Sequence, residues 1–488
     1  MLVDLLSSAG LLSKAVHALN SVIWSPALVA LLLGAGLYLS IRTRFVQIRR
    51  LPLMVRSLFS RSEKIRGISS FEAFCVALSG HVGTGNIIGV ATAIAFGGPG
   101  AVFWMWITAL LGASTSFTEV TLAQLFKFHH ETGYRGGPAA YIDKGLKLKW
   151  LGVLFAILTI IGYGVFLTTV QANGMASALS NSFNISPLVS GIALAAVLAL
   201  VIIGGIRSIA RVASIVTPFM ALGYILMAIV VVALNSDAVP AAFASIFRGA
   251  FGLDSVSGGI IGTAVMMGVK RGIFSNEAGQ GGGAIVSASA DVPHPARQGL
   301  AQSFSVYVDT LLVCTATALM ILCSGTYNVF SQSTGEMTMA NVPELGNNYV
   351  GYTQAAVDSV LPGIGNTFVS LALIFFVFTT IMAYYFYSES SIIYLFFGRR
   401  SGSRSEKACI WAFRLVLLAA TVFGALNEAD LIWQLGDVGV GLTAWINVIS
   451  LLILCPLALK ALKEYEQLYP GRAMRRRLKA AAKPKKDI

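Results

Sequence analysis

The sequence is poor in charged residues. Only 12% of its 488 residues are Asp, Glu, Lys or Arg, whereas soluble domains contain about 25%. Hydrophobic residues account for 56% of the chain, and a soluble protein this apolar would expose large hydrophobic patches. A lipid solvent removes that problem. The composition therefore excludes an ordinary soluble protein and predicts an all-α, polytopic membrane protein.

The sequence also lacks the patterns of a disulfide-stabilised secreted domain or of an enzyme. Its five cysteines are odd in number, lie mostly in apolar segments, and form neither a disulfide framework nor a CxxC metal site. The chain shows no nucleophile paired with a base, no phosphate-binding loop and no cluster of metal ligands. We therefore expect no enzymatic activity.

The sequence instead contains a series of apolar runs. Each run is about 20 residues long, the length that a helix needs to cross about 30 Å of hydrocarbon. They form one membrane transport domain, which we place at 1–459, ahead of a basic tail at 460–488. We predict about eleven spans, at residues 22–40, 71–96, 100–126, 150–179, 187–205, 212–234, 256–290, 299–325, 361–390, 409–426 and 438–459.

Basic residues are distributed unevenly between the two sides of these spans. The chain has 35 Lys and Arg against 22 Asp and Glu, and 30 of the 35 fall in alternate loops and in the tail. The loops 326–360 and 427–437 on the opposite side contain acids but no Lys or Arg. By the positive-inside rule, this pattern predicts an external N-terminus and a cytoplasmic C-terminus in the plasma (inner) membrane.

The same charge pattern indicates the partners of the chain. Basic loops beside membrane spans contact lipid headgroups, so we expect membrane lipids and no nucleic acid as partners. The external segment 238–252 has apolar residues at helical spacing beside Arg248, which predicts an amphipathic helix in the membrane interface. The sequence does not distinguish a monomer from an oligomer.

Two spans are interrupted by glycine-rich polar segments, at 79–86 and at 268–283. Glycine costs a helix interior about 1 kcal/mol, so we expect both helices to break at mid-depth, where lipid tolerates a break only beside protein or a watery cavity. Broken helices at equivalent places of two halves are typical of inverted-repeat transporters. We predict repeats at 71–234 and 256–459, preceded by one extra N-terminal span at 22–40.

Several motifs in the chain resemble one transporter family. The run 83–94 (GTGNIIGVATAI) is followed by 97–106 (GGPGAVFWMW), and further along lie 135–139 (RGGPA), 274–279 (FSNEAG) and 308–311 (VDTL). Together they resemble the alanine or glycine:cation symporter family (sodium:alanine symporters). The resemblance implies a LeuT-like fold of five-plus-five inverted repeats with one added helix. It also implies Na⁺-coupled symport of a small neutral amino acid, such as alanine or glycine, into the cell.

The first break suits the carboxylate of an amino acid. Free N–H groups and the positive dipole at a half-helix N-terminus bind anions. We therefore expect the amides of Thr84, Gly85 and Asn86 to hold the substrate carboxylate, with help from the Asn86 side chain. Further expected substrate contacts, in part implied by the resemblance, are Gln171, Phe274, Ser275 and Tyr384. Several members of that family carry Trp where this chain has Tyr384, which leaves the choice among small neutral amino acids open.

Resemblance to the common sodium site of the fold implies ligands for the coupling ion. They are the hydroxyls of Thr379 and Thr380 and the backbone carbonyls of Ser79 and Val82. His81 lies between the two carbonyl positions. Its imidazole could simply bond a carbonyl in the core, or it could bind a proton beside the cation site and couple transport to H⁺.

Three functions stay open from the sequence. Na⁺-coupled symport is the first, H⁺-coupled symport is the alternative that His81 allows, and a gated channel is the third. Two broken helices with a polar midplane favour a closable pocket over a channel lined along its length. Ionisable residues inside spans need partners, and we expect a salt bridge such as Arg271–Glu277 to hold the second break open.

Overall fold

The computed structural model describes residues 2–59, 67–252, 258–332, 334–396 and 401–469, without the side chains of 2–12 and 258–260. Helices dominate these residues, as the predicted all-α class requires. The predicted basic tail lies outside the described residues from 470 onward. Its first part is helical, because the last helix continues to Leu468.

Four helices precede the first predicted break. They are α1 (Leu2–Ile23), α2 (Pro26–Arg42), α3 (Val46–Arg49) and α4 (Leu51–Leu58). Helices α1 and α2 meet at 41°. Pro26 opens α2, and because proline has no N–H it cannot continue the preceding helix. The predicted extra span, 22–40, therefore corresponds to α2 and the end of α1.

The first repeat region contains nine further helices and one hairpin in its described residues. They are α5 (Ser70–His81), α6 (Val90–Gly97), α7 (Gly100–Leu125), β1 (Phe128–His130), β2 (Gly133–Arg135), α8 (Pro138–Leu146), α9 (Lys149–Ile161), α10 (Thr168–Phe183), α11 (Pro187–Ile202), α12 (Gly205–Leu234) and α13 (Val239–Ala250). A π-helical turn, Gly85–Gly89, leads into α6, and a second, Gly162–Leu167, joins α9 to α10. Helix α13 confirms the helix predicted at 238–252.

The second repeat region has a similar mixture of long and broken helices. Its elements are α14 (Gly258–Asn276), α15 (Gly282–Ser287), α16 (Pro295–Val306), α17 (Thr315–Ser324), β3 (Asn328–Phe330), β4 (Met337–Ala340), α18 (Tyr349–Asp358), α19 (Gly365–Leu395), α20 (Arg404–Leu426) and α21 (Ala429–Leu468). A π-helical stretch, Tyr307–Cys314, joins α16 to α17. Both hairpins are antiparallel, and neither is anticipated by the apolar pattern.

Within the described residues, seven helices are long and apolar enough to cross a membrane, and two bent pairs raise the number to nine. The bent pairs are α1 with α2, and α5 with the helical segment Gly85–Gly97. Two predicted spans fall outside this count. Pro187–Ile202 has only 16 residues, and the span predicted at 256–290 is divided into α14 and α15. The count of eleven therefore stays a prediction.

Burial separates inner helices from outer ones. In α7 and in the joined α16–α17 helix, 67% of the apolar core segment is buried, whereas in α12 the share is 28%. Exposed apolar side chains on α12, such as Phe219 and Ile229, suit contact with lipid. The two broken helices pack among the inner helices, which places both breaks away from lipid.

Side chains near the middle and at the C-terminal end of α21 tie it to the N-terminal helices. The indole N–H of Trp445 donates to the carbonyl of Ile23 at 3.1 Å. At the far end of α21, Glu466 forms ion pairs with Arg49 at 2.7 Å and with Arg50 at 2.9 Å. From its middle to its C-terminal end, the last helix is therefore attached to the start of the chain at two places.

Candidate functional site

The first break lies between α5 and the helical segment that follows it, and the two parts meet at 53°. Val82 has an extended backbone (φ −83°, ψ 92°). The Gly83 N–H donates to Oδ1 of Asn86 at 2.8 Å. The Thr84 N–H donates to Oε1 of Gln171 at 2.9 Å. Buried amides must be paired, and neutral side-chain oxygens pair these two. The Asn86 N–H, which the sequence assigns to the substrate carboxylate, donates instead to the carbonyl of Gly83 at 3.2 Å.

Two glycines of the first break allow other site residues to approach the backbone. A methyl group on Gly85 would lie 3.2 Å from Cδ1 of Phe274. A methyl group on Gly83 would lie 2.6 Å from Oε1 of Gln171 and 2.8 Å from Oγ1 of Thr380. Any larger residue at position 83 would therefore displace two groups that the sequence assigns to two different sites.

Aromatic rings surround the meeting point of the breaks. Phe274 stacks on Trp433 with ring centroids 5.2 Å apart and an interplanar angle of 27°. Tyr384 packs edge-to-face on Tyr163 at 5.2 Å, and its phenol faces Gln171. All seven residues predicted to contact the substrate are buried and lie in one connected group; they are Thr84, Gly85, Asn86, Gln171, Phe274, Ser275 and Tyr384.

The predicted sodium ligands divide into two sets. Oγ1 of Thr380 lies 2.8 Å from the carbonyl oxygen of Ser79 and 3.1 Å from that of Val82. It also lies 2.7 Å from the carbonyl oxygen of Phe376. A hydroxyl has one proton to donate, so at any moment two of these three carbonyls lack it. This convergence of oxygens fits a monovalent cation.

Thr379 is oriented differently. Its hydroxyl bonds the carbonyls of Phe375 at 2.9 Å and Phe376 at 3.1 Å within its own helix, and it lies 3.6 Å from the sulfur of Met220. This is the usual local bonding of a threonine inside a helix. The structure therefore does not bring Thr379 together with Ser79, Val82 and Thr380.

The second break is a tight turn rather than a simple bend. Glu277, Gly279 and Gly281 have positive φ values of 54°, 93° and 97°. This conformation favours glycine and is costly for Glu277. The side-chain amide of Gln280 stabilises the turn, because its Nε2 donates to the carbonyl of Ile273 at 2.6 Å. A turn thus interrupts the helix before α15 begins.

Asp309 connects the two breaks. Its Oδ1 accepts a hydrogen bond from Nδ2 of Asn86 at 2.6 Å, and its Oδ2 accepts one from the hydroxyl of Ser275 at 2.9 Å. Thr310 donates to the same carboxylate at 2.7 Å. The sequence marks Asp309 only as a buried acid that needs partners. That it joins Asn86 to Ser275 follows from the fold, because the three residues are far apart in the chain.

The ion pair beside the second break differs from the one we expected. Arg271 pairs with Asp437 at 2.9 Å, and Lys270 pairs with the same carboxylate at 2.6 Å. The expected partner, Glu277, lies instead 3.8 Å from Nε2 of His81. The reason is that α14 ends at Asn276, so the turn and not the helix sets the direction of Glu277. Asp437 was assigned to an external loop, yet it is part of α21.

A polar cavity of about 540 Å³ lies near the β1–β2 hairpin and the ends of α19 and α20. Glu389 at its wall lies 3.7 Å from Arg135 and 3.8 Å from Arg414. Nearby, Nε2 of His130 lies 2.9 Å from Oε1 of Glu406. Helix α19 carries both Thr380 and Glu389, so the cavity and the predicted cation site share one helix.

These features define the class of the protein, a multi-pass membrane transporter with the LeuT fold. The structure is similar to the crystal structure of MhsT in complex with L-phenylalanine, with a TM-score of 0.56. The likeness covers 83% of this chain and 99% of that chain at 13% sequence identity. At this identity it shows the fold alone.

The chain belongs to the sodium:alanine symporter family, whose sequence profile matches residues 9–477. YrbD of Bacillus subtilis (strain 168) is 50% identical over 454 residues, which are 93% of this chain and 92% of YrbD. The sodium/proton-dependent alanine carrier protein of Bacillus sp. (strain PS3) is 45% identical over 414 residues, 85% of this chain and 92% of that protein. The protein is thus a cation-coupled amino-acid symporter and not an enzyme.

Proposed function

We propose that this protein carries a small neutral amino acid, alanine or glycine, into the cell together with Na⁺. The observation that carries the proposal is the pairing of the Gly83 and Thr84 amides with the side-chain oxygens of Asn86 and Gln171. A substrate carboxylate can replace these oxygens as the acceptor, and the positive dipole of the following helix favours its charge.

The second break supplies the complementary groups for the substrate ammonium. Helix α14 ends at Asn276, and the last carbonyls of a helix have no partner within it. The negative end of its dipole favours a cation. A zwitterion between the two breaks therefore meets N–H groups on one side and C=O groups on the other.

The tight packing between the breaks favours a small substrate. Phe274 lies 3.2 Å from the position of a methyl group on Gly85, and Tyr384 and Trp433 occupy the neighbouring space. A side chain of one carbon fits such a wall better than a branched or aromatic one. The name of the relative from Bacillus sp. (strain PS3) refers to alanine, which supports the same choice.

We assign the sodium site to Thr380 and the carbonyls of Ser79 and Val82. These atoms belong to α19 and to the end of α5, so a bound Na⁺ would fix the first break against a long inner helix. Thr379 would join the site only after its side chain turns away from its own helix. We also assign the inverted repeats to 71–234 and 256–459, and the alternating opening of the pocket to their relative movement.

Uptake into proteoliposomes tests the function. With an inward Na⁺ gradient we expect saturable uptake of labelled alanine and glycine, competition by small neutral amino acids, and none by amino-acid amides, which lack the carboxylate. Uptake driven equally well by a pH gradient without Na⁺ would replace Na⁺ with H⁺ as the coupling ion. Flux that does not saturate would identify a channel.

The proposed orientation has its own test. We place the N-terminus and the loop 326–360 outside and the tail from 460 onward in the cytoplasm, because of the asymmetry of basic residues. In intact cells, an impermeant thiol reagent should label a cysteine introduced in the 326–360 loop and should spare one introduced in the tail. The reverse pattern would contradict the orientation.

A further inference from the structure

Glu277 differs from every other buried acid among the described residues. Asp309, Asp437 and the other buried carboxylates each have a hydrogen-bond donor or a basic partner within normal bonding distance. Neither oxygen of Glu277 has such a partner, although its side chain is only 1% exposed. An ionised carboxylate in this position would carry a large desolvation cost without compensation.

The groups around Glu277 are polar, but none of them meets the geometry of a hydrogen bond to its carboxyl oxygens. His81 approaches Oε2 to 3.8 Å, which is too long for a hydrogen bond. The phenols of Tyr384 and Tyr387 face the carboxyl group, yet the Tyr387 hydroxyl also lacks a partner. The other charged groups that face it, Asp309 and Glu119, are acids and cannot neutralise it.

The space around this carboxyl group limits what could neutralise it. A methyl group on Gly282 would lie 2.2 Å from Oε2 of Glu277 and 2.9 Å from the hydroxyl of Tyr163. The rings of Tyr163 and Tyr387 pack edge-to-face at 5.1 Å on the same side. A metal ion would need to separate these groups, whereas a proton adds no volume.

The backbone conformation of Glu277 also supports a functional role. Its φ of 54° lies in the left-handed region, where glycine would be less costly. The fold thus holds an acidic side chain at a position whose backbone does not favour it. Strain of this kind is found at functional sites.

We propose that Glu277 is a proton-binding site, and that its carboxyl group is neutral whenever the second break is closed to water during the transport cycle. In the buried arrangement described here, the carboxyl carries its proton. When the second break opens to cytoplasmic water, the proton leaves to that water and the carboxylate becomes hydrated. One proton would then enter with each amino acid and its Na⁺. This inference rests on the proposed transport function.

The substitution Glu277→Gln tests the site, because glutamine keeps the shape of a neutral carboxyl group but cannot release a proton. In proteoliposomes loaded with a pH dye, the wild-type protein should acidify the interior during Na⁺-driven alanine uptake. The variant should take up alanine without acidification. Alanine uptake by the wild type should fall as the external pH rises, and uptake by the variant should stay at the low-pH level.

A matched control is Glu406→Gln in the cavity beside the β1–β2 hairpin, where the carboxylate is already bonded to His130. This variant should keep both the acidification and the pH dependence. Acidification that persists in Glu277→Gln would overturn the inference and leave the transport function intact. A weaker affinity for Na⁺ in the variant, with unchanged acidification, would make Glu277 a cation ligand instead.

A second measurement covers the case in which Glu277→Gln fails to insert. Wild-type protein with ¹³C-labelled glutamate should show the infrared C=O band of a protonated glutamic acid at neutral pH, and the band should persist in Glu119→Gln. Absence of the band in the wild type would overturn the inference. Absence of alanine uptake by the wild type would instead refute the transport function.

Discussion

Both helix breaks free backbone polar groups that must be paired, but different side-chain atoms pair them at the two breaks. At the first break, neutral amide oxygens from Asn86 and Gln171 accept bonds from backbone N–H groups. At the second, backbone carbonyls are bound by side-chain amides: Asn447 donates to the carbonyl of Gly279 at 2.9 Å. One break therefore exposes donors and the other exposes acceptors, which are the two kinds of group that a zwitterion needs.

The breaks also differ in backbone strain and charge. The first bends by 53° and contains no positive φ value between His81 and Gly89. The second contains three, one of them at an acidic residue. The difference favours a division in which the first break binds the substrate carboxylate, whereas the second break offers carbonyls to the ammonium and carries the acid proposed to bind a proton. Substitutions at matched positions can separate these roles.

The largest effect on transport should come from Gly83→Ala at the first break. The added methyl would lie 2.6 Å from Oε1 of Gln171 and 2.8 Å from Oγ1 of Thr380, so it displaces groups of both proposed sites. We expect uptake to fall by more than about 100-fold, which corresponds to about 2.8 kcal/mol. The matched control is Gly283→Ala at the second break, where the nearest atom would lie at 3.5 Å. Equal losses in both variants would contradict the assignment of the substrate carboxylate to the first break.

The largest effect on thermal stability should come from the ion pairs beside the second break. Asp437→Asn removes the charge that pairs with Lys270 and Arg271. Removing one partner of a buried ion pair costs about 3–5 kcal/mol, so we expect a clear loss of thermal stability in detergent without ligand. Glu466→Gln, which removes a more exposed pair, should cost at most about 1 kcal/mol. If both variants unfold at the same temperature, Asp437 does not stabilise the second break.

A smaller effect is expected from Gln171→Ala. It leaves the buried N–H of Thr84 without an acceptor, a loss of about 1–3 kcal/mol, until the substrate carboxylate binds. Because the ligand-free protein is destabilised relative to the bound one, the apparent affinity for alanine should rise about tenfold. The Na⁺ dependence at saturating alanine should stay the same. A binding assay by thermal shift with alanine and Na⁺ measures both. An unchanged alanine affinity would make Gln171 a purely structural residue.

The smallest expected effect separates two neighbouring threonines. Thr380→Ala removes the hydroxyl that faces the Ser79 and Val82 carbonyls, and we expect a several-fold rise in the Na⁺ concentration for half-maximal uptake. Thr379→Ala removes a hydroxyl bonded within its own helix, so Na⁺ dependence should change little. The opposite ranking would show that the Thr379 side chain turns to bind the ion.

The sequence predicts both breaks because glycine clusters are costly in a helix. It also marks Gln171, since an amide deep in an apolar run is costly unless it is bonded, while the role of Gln171 as a substrate contact was implied by the family resemblance. It could not predict that Arg271 pairs with Asp437, because these residues are 166 positions apart and Asp437 precedes the apolar run from which its helix was inferred. The hairpins β1–β2 and β3–β4 were missed because strands of three or four residues leave little pattern.

Glu277 shows a further limit of the sequence. Its position inside a span marks it as an acid that needs a partner, and Arg271 is the nearest base in the chain. The partner is decided by the turn, since positive φ values at Glu277 and two glycines interrupt the helix there. A periodicity argument follows a continuous helix, so it fails at the residues where the helix stops.

The attachment of α21 to the start of the chain has a practical consequence for measuring motion. This helix has 40 residues, or about 60 Å of length. Trp445 ties it to the end of α1, and Glu466 ties it to Arg49 and Arg50. Two spectroscopic labels, one on α2 and one on α21, would therefore keep a constant separation through a transport cycle. That constant separation serves as a reference with which changes in the distances to α5 or α15 can be compared.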